Sequence, residues 1–179
     1  MIHRRLLATG TALLATAVLA ACGSMGGKPS TTVELTPTAA VTPNPARGSV
    51  TLTALDHGVR VSGEVRGLAP GSEHGFHIHE KGDCGNNGNA SGGHFNPAGG
   101  THGKFSAPGS HAGELPSLVA DASGVAPFSV ENHAISLTDG AANNVRGRAL
   151  VVHRDRDDFT TQPAGNSGPR VLCAVVAQN

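Results

Sequence analysis

Charge of one sign is the first thing this chain lacks. Its 179 residues carry 13 Lys+Arg against 13 Asp+Glu. A balanced chain has no net basic field and gives no case for a nucleic-acid partner. Cysteine is scarce, with three residues in all and no CxxC pair, which gives no case for a cysteine-built zinc ribbon. No HExxH is present, so the usual helical signature of a zinc hydrolase is missing. There is no internal repeat and no window with a long helical period. The one long apolar run, Leu6 to Ala20, is too short to cross a bilayer comfortably.

That run has another reading. Arg4 and Arg5 precede it and small residues end it, the pattern of a secretory signal. Leu19-Ala20-Ala21-Cys22 resembles a bacterial lipobox, in which Cys22 becomes the first mature residue and carries lipid. The expectation is a signal peptide over 1–21, then an exported protein anchored to the bacterial cell membrane through lipid on Cys22, facing outside the cytoplasm. From Cys22 to Arg47 the chain is rich in Gly, Ser, Thr and Pro and reads as a flexible tether, with the folded domain expected over 48–179. Two cysteines remain, Cys84 and Cys173. In an oxidising compartment pairing is their default, with free thiols or metal ligation as the alternatives.

The domain reads as β. Val50, Leu52 and Ala54 alternate with Thr51 and Thr53. After a turn at Asp56-His57-Gly58, the period of two continues through Val59, Val61 and Val65. Phe76 and Ile78 alternate with His77 and His79, and further strands are predicted at 118–120, 125–130, 149–152 and 171–176. Short strands separated by Gly/Pro/Asp turns predict an all-β fold, an eight-stranded Greek-key β-barrel or sandwich. Two long stretches, 82–116 and 154–169, resist strand assignment. Loops of that length in a compact domain are usually functional or disordered, and the ligand-type residues lie in or beside them.

Those residues are histidines. His77 and His79, two apart on a strand, leave the same face. His94 and His102 stand in a glycine-crowded loop, whose backbone can wrap tightly around an ion. His111 and Glu114 add an imidazole and a carboxylate, and three histidines with one carboxylate complete a tetrahedral zinc set. His153 closes the apolar strand Ala149 to Val152. Six clustered histidines plus a carboxylate exceed what one metal needs, so the pattern predicts two metals. His57, His74 and His133 are read as surface residues.

Five segments in order carry a resemblance: Gly75-Phe76-His77-Ile78-His79-Glu80-Lys81-Gly82-Asp83-Cys84; Gly93-His94-Phe95-Asn96-Pro97; His111-Ala112-Gly113; Leu150-Val151-Val152-His153; and Gly168-Pro169-Arg170-Val171-Leu172-Cys173-Ala174. Together they resemble the copper-zinc superoxide dismutase family, from about Gly48 to the C-terminus. The resemblance implies copper held by His77, His79, His94 and His153, and zinc held by His94, His102, His111 and Glu114, with His94 bridging the two ions. It implies that Asp157 hydrogen-bonds His77 and His102 and fixes their tautomers. It also implies that Arg170 draws in the superoxide anion and that Cys84 and Cys173 form an intrasubunit disulfide. The implied reaction turns two superoxide anions and two protons into dioxygen and hydrogen peroxide, with copper alternating between Cu(II) and Cu(I) and His94 handing a proton to the peroxide. The role implied is protection of the cell envelope from superoxide made outside. Bacterial members differ in whether they pair, so a homodimer is among the expected assemblies.

One position departs from the family, which has aspartate where Glu114 stands. The extra methylene shifts the carboxylate by roughly a bond length or two, against a zinc–oxygen distance of about 2.0–2.2 Å, so the departure bears on zinc occupancy rather than on copper. Two other readings compete. A copper-carrying module on the same fold would not need Arg170 or Asp157, and a zinc hydrolase would need an open position and a general base.

Overall fold

The computed structural model describes residues 27–178. The signal expected over 1–21 and Cys22, expected to carry lipid, lie outside the described residues. Nine strands follow in order: β1 (Ser30–Pro37), β2 (Arg47–Ala54), β3 (Val59–Arg66), β4 (Glu73–His74), β5 (Phe76–His79), β6 (Leu118–Val119), β7 (Val125–Asn132), β8 (Ala149–His153) and β9 (Arg170–Val175). Only Gly75 separates β4 from β5, so the nine elements trace eight strand paths. Seven strands form one antiparallel sheet in the order β5-β8-β9-β1-β2-β3-β7, and β4 pairs with β6. The sheet curls into a half-barrel. β8 and β9 return across a long connection to lie between β5 and β1, a Greek-key feature.

The alternation read in the sequence is the alternation of burial. Val50 and Leu52 on β2, and Val59, Val61 and Val65 on β3, are fully enclosed. They meet Phe76, Ile78, Leu150, Val152 and Leu172 in one core inside the barrel. Each such side chain contributes roughly 1.5–3 kcal/mol by leaving water.

The start of the domain requires a correction. The segment expected to be a tether up to Arg47 contains β1, which pairs along β2 from Ser30↔Thr53 to Leu35↔Gly48 and reaches β9 at Thr36↔Cys173. Val33 and Leu35 enter the core, while Thr32 meets Thr51 across the outer face with 2.8 Å between hydroxyls. Only two apolar side chains mark this strand, so its composition resembles a linker. Threonine nonetheless fits a half-exposed pleated surface once partners exist on both edges.

β5 and β8 position the site. All four residues of β5 and all five of β8 are buried, but on two different faces. Phe76 and Ile78, with Leu150 and Val152, join the barrel core. Ala149 and Val151 pack against Cys173 and Cys84 instead. The second face lies outside the barrel and is roofed by the long loops, so it is buried without being part of the core. The Cys84–Cys173 disulfide ties the first of these loops to β9.

Candidate metal centre

The first loop is laid onto the free edge of β5 by backbone pairing. Glu80 N–H donates to Gly93 O (2.9 Å), Phe95 N–H to Ile78 O (2.8 Å) and Ile78 N–H to Gly113 O (2.8 Å). This sets His94 opposite His79 and Glu114 opposite His77. Gly113 stands where the three segments meet, and a Cβ there would strike the Ile78 carbonyl and sit 2.9 Å from Phe95 N. On the other side a bulge follows Val152, and His153 pairs with Arg170 across β8 and β9.

These placements bring His77, His79, His94 and His153 together, and likewise His94, His102, His111 and Glu114. Within each group one ligand-type atom per residue lies within 4.8 Å of the others, and every member is buried. His94 belongs to both.

The hydrogen bonds decide which ring nitrogen carries the proton. A carbonyl or ionised carboxylate only accepts, so the nitrogen facing it must donate. His79 Nδ1–H donates to Gly92 O (3.0 Å) and His153 Nδ1–H to Gly168 O (3.0 Å). Their Nε2 atoms therefore bear lone pairs, yet they face each other at 3.3 Å. His77 Nε2–H donates to Asp157 Oδ2 (2.7 Å), leaving its buried Nδ1 with no partner. His94 turns Nδ1 to Glu114 Oε1 (3.0 Å), and its buried Nε2 likewise has none. Four unprotonated nitrogens thus converge in a dry space, where unpaired polar atoms are costly. Protons do not fill the gap: burial first, then the neighbouring imidazoles, push His77 and His79 well below the ordinary imidazole value. Burial drives His153 down to about 4. A transition-metal cation that favours imidazole satisfies all four.

The second group converges on a carboxylate. Glu114 Oε1 lies 3.0, 2.9 and 2.8 Å from Nδ1 of His94, His102 and His111. Ligands around one tetrahedral ion at about 2.0–2.1 Å stand roughly 3.3 Å apart, so this set opens only slightly to take zinc. The longer glutamate side chain therefore reaches all three rings from this loop. Burial opposes ionisation of Glu114, but its hydrogen bond with His94 and the surrounding imidazoles outweigh that and lower its pKa.

Asp157 joins the halves. Besides His77 it accepts from His102 Nε2–H at Oδ1 (2.9 Å), which leaves His102 Nδ1 directed at Glu114. Arg170 donates from Nη1 to Gly88 O (2.7 Å) and Ser91 Oγ (2.8 Å), and from Nη2 to Gly92 O (2.6 Å). With His153, Thr161 and Asn166 it lines an open cavity of about 340 Å³.

Residues 46–176 match the family model described as copper/zinc superoxide dismutase. The chain belongs to the copper-zinc superoxide dismutase family. It is 38% identical over 133 residues to superoxide dismutase [Cu-Zn] 2 of Aquifex aeolicus (strain VF5), covering 72% of this chain and 78% of that protein. It is 41% identical over 141 residues to an extracellular superoxide dismutase [Cu-Zn] of Haemonchus contortus, covering 74% and 75%. Among solved structures, a SOD-like protein from Bacillus subtilis superposes with TM-score 0.70 at 33% identity, over 81% of this chain and 97% of that one. The chain is thus an oxidoreductase, a superoxide dismutase, and copper and zinc are its metals.

Two residues of this dismutase escape a sequence reading. His74, expected at the surface, is buried. Its Nδ1–H donates to the carbonyl of His153 (2.8 Å) and its Nε2 lies 2.8 Å from Ser72 Oγ, so it holds the backbone of one ring in the first group. Its place two residues before β5 looks like any turn histidine in sequence. Gly165 has φ +66°, and a Cβ there would strike Asp157 Oδ1 and His102 Nε2. Nothing local in the sequence distinguishes it. His57 and His133 are exposed, as expected.

Proposed function

We propose that His77 Nδ1 and the Nε2 atoms of His79, His94 and His153 hold copper, and that Nδ1 of His94, His102 and His111 with Glu114 Oε1 hold zinc. The observation carrying this assignment is the pair of lone-pair nitrogens, His79 Nε2 and His153 Nε2, facing each other across 3.3 Å with no proton to share. Copper supplies the one-electron acceptor and donor that dismutation needs, and zinc is redox-inert.

The protein's own residues do the rest. Asp157 orients the rings of His77 and His102, one from each half, so that Nδ1 of each stays aimed inward. His74 restrains the main chain at His153. Arg170 supplies a fixed positive charge in the cavity that His153 lines, and draws a small anion to that ring. Superoxide meets a charge whose orientation three hydrogen bonds already hold, so little reorganisation follows binding. His94 Nε2 has no hydrogen-bond partner, and when not engaged by the metal it would hold one of the two protons that hydrogen peroxide needs, water supplying the other. Product then leaves by the same open cavity.

The protein is further proposed to be exported, lipid-anchored at Cys22, and to guard the cell envelope against superoxide made outside. The lipobox-like Leu19-Ala20-Ala21-Cys22 supports this.

Elemental analysis of mature protein, with an in-gel dismutase assay on copper-loaded wild type and His153→Ala, tests the site. Copper and zinc near one each, with activity lost in the variant, are expected. An inactive loaded wild type would point to a copper-carrying module. Retention of the protein in the membrane fraction, lost in Cys22→Ser, tests the anchor.

A further inference from the structure

The two metal groups differ in how they meet solvent. The cavity beside Arg170 is lined by His153 and by no zinc-group residue. A separate cavity of about 470 Å³ shares no lining residue with it. It is lined by Phe105, Ser106, Ala107, Gly109, Ser110, His111, Ala112 and Glu114 from that loop, and by Asn132, His133 and Ala134. His94, the shared ring, lines neither.

Burial within the zinc group points the same way. The side chains of His94 and His102 are wholly enclosed and that of Glu114 is 2% exposed, whereas that of His111 is 8% exposed. His102 is shut in from the far side, where Asp157 takes its Nε2–H and the Gln162 side chain bonds its backbone N–H and C=O, each at 2.9 Å. The zinc group therefore meets solvent at His111, and His111 stands in this cavity's wall.

The rim carries a further ligand-type group that the dismutase reaction does not use. His133 is exposed, and its Nδ1–H donates to the carbonyl of His57 (2.7 Å). That bond fixes the tautomer with the lone pair on Nε2, the form in which imidazole binds zinc.

We infer that this cavity is the route by which zinc enters and leaves, with His133 as its outer ligand, so that zinc and copper exchange through separate cavities. Zinc passes from water to His133, then to His111 and Glu114, while copper and the anion use the cavity at Arg170. The inference rests on the assignment of zinc to His94, His102, His111 and Glu114.

The experiment uses the full metallated protein and a chromophoric zinc chelator, following zinc release and, separately, copper release. Ala134 is exposed on the cavity wall, so Ala134→Phe fills the opening without entering the core. It is expected to slow zinc release by about tenfold while copper release and dismutase activity stay near wild type. Ala107→Leu, a plug from the loop side, is expected to act in the same direction. His133→Ala is expected to slow uptake of added zinc by roughly threefold, leaving bound zinc at equilibrium nearly unchanged. Zinc release that ignores both plugs, or copper release slowed equally, overturns the route. Zinc content separates the two failures. If wild type holds one zinc that His111→Ala loses, the assignment stands whatever the plugs do, and if wild type holds none, assignment and route fall together.

Discussion

The proposed copper half and the proposed zinc half of this site are built from different material. Three of the four copper-side rings stand on strands, His77 and His79 on β5 and His153 on β8. Their backbones belong to the sheet, and the rings are aimed by the Asp157 carboxylate and by carbonyls of the covering loops. On the zinc side His94, His102, His111 and Glu114 all come from one loop. The loop's two ends are fixed by the disulfide and by pairing with β5, while the stretch 96–112 that carries His102 and His111 is tied outward by Asp157 and the Gln162 side chain at His102 and by Asn132 Nδ2 donating to Ala112 O (3.0 Å). The contrast implies that the sheet preorganises copper binding, whereas zinc binding and loop order are one equilibrium.

Separating the halves gives the largest effect. His79→Ala is expected to lower dismutation more than about a hundredfold, beyond the range of an outer-sphere change, while zinc content stays. His102→Ala is expected to release zinc and raise amide exchange across 98–112 with copper still bound. Equal loss of both metals in both variants would break the comparison.

The disulfide comes next. It closes a span of 89 residues, and Cys84→Ser with Cys173→Ser should destabilise the protein by about 2–5 kcal/mol in denaturant melts. Asp157→Asn reaches both halves at once. An amide cannot accept from two N–H donors at both of its polar atoms, so one ring must flip, and copper and zinc affinities should each fall by roughly 10–100-fold. A loss confined to one metal would show that a single hydrogen bond matters.

The metal-free protein gives a pH test. His77, His79 and His153 have folded pKa values depressed by burial below 6.5, His153 to about 4. The unfolded chain then binds more protons between those values, so stability is full above about pH 6.5 and declines as pH falls towards 4. Melts of chelated protein between pH 7 and 4 check the sign. The smallest effect is expected of Gln162→Ala, which removes two loop hydrogen bonds worth about 0.5–1.5 kcal/mol each. Zinc should weaken and copper should not.

The sequence-legible part of the fold was its two-residue period. β2, β3 and β5 announced themselves through valine, leucine and isoleucine at alternate positions, because burial on one face of a strand requires it. β1 did not, since two apolar residues among threonines look the same in a strand and in a linker. His74 escapes the same reading for a related reason: the carbonyl its ring binds belongs to His153, 79 residues away.

By itself the sequence determined the donor inventory, six clustered histidines and a carboxylate, and the resemblance that assigns them to two ions. Ligand chemistry is a property of residue type and needs no fold. Tertiary structure alone decided which nitrogens of His77, His79, His94 and His153 are bare, how Glu114 meets three rings despite its added methylene, and that the two groups open to water through separate cavities. Each of these depends on carbonyls, carboxylates and loops brought together from distant positions, and a linear pattern does not encode a distance between them.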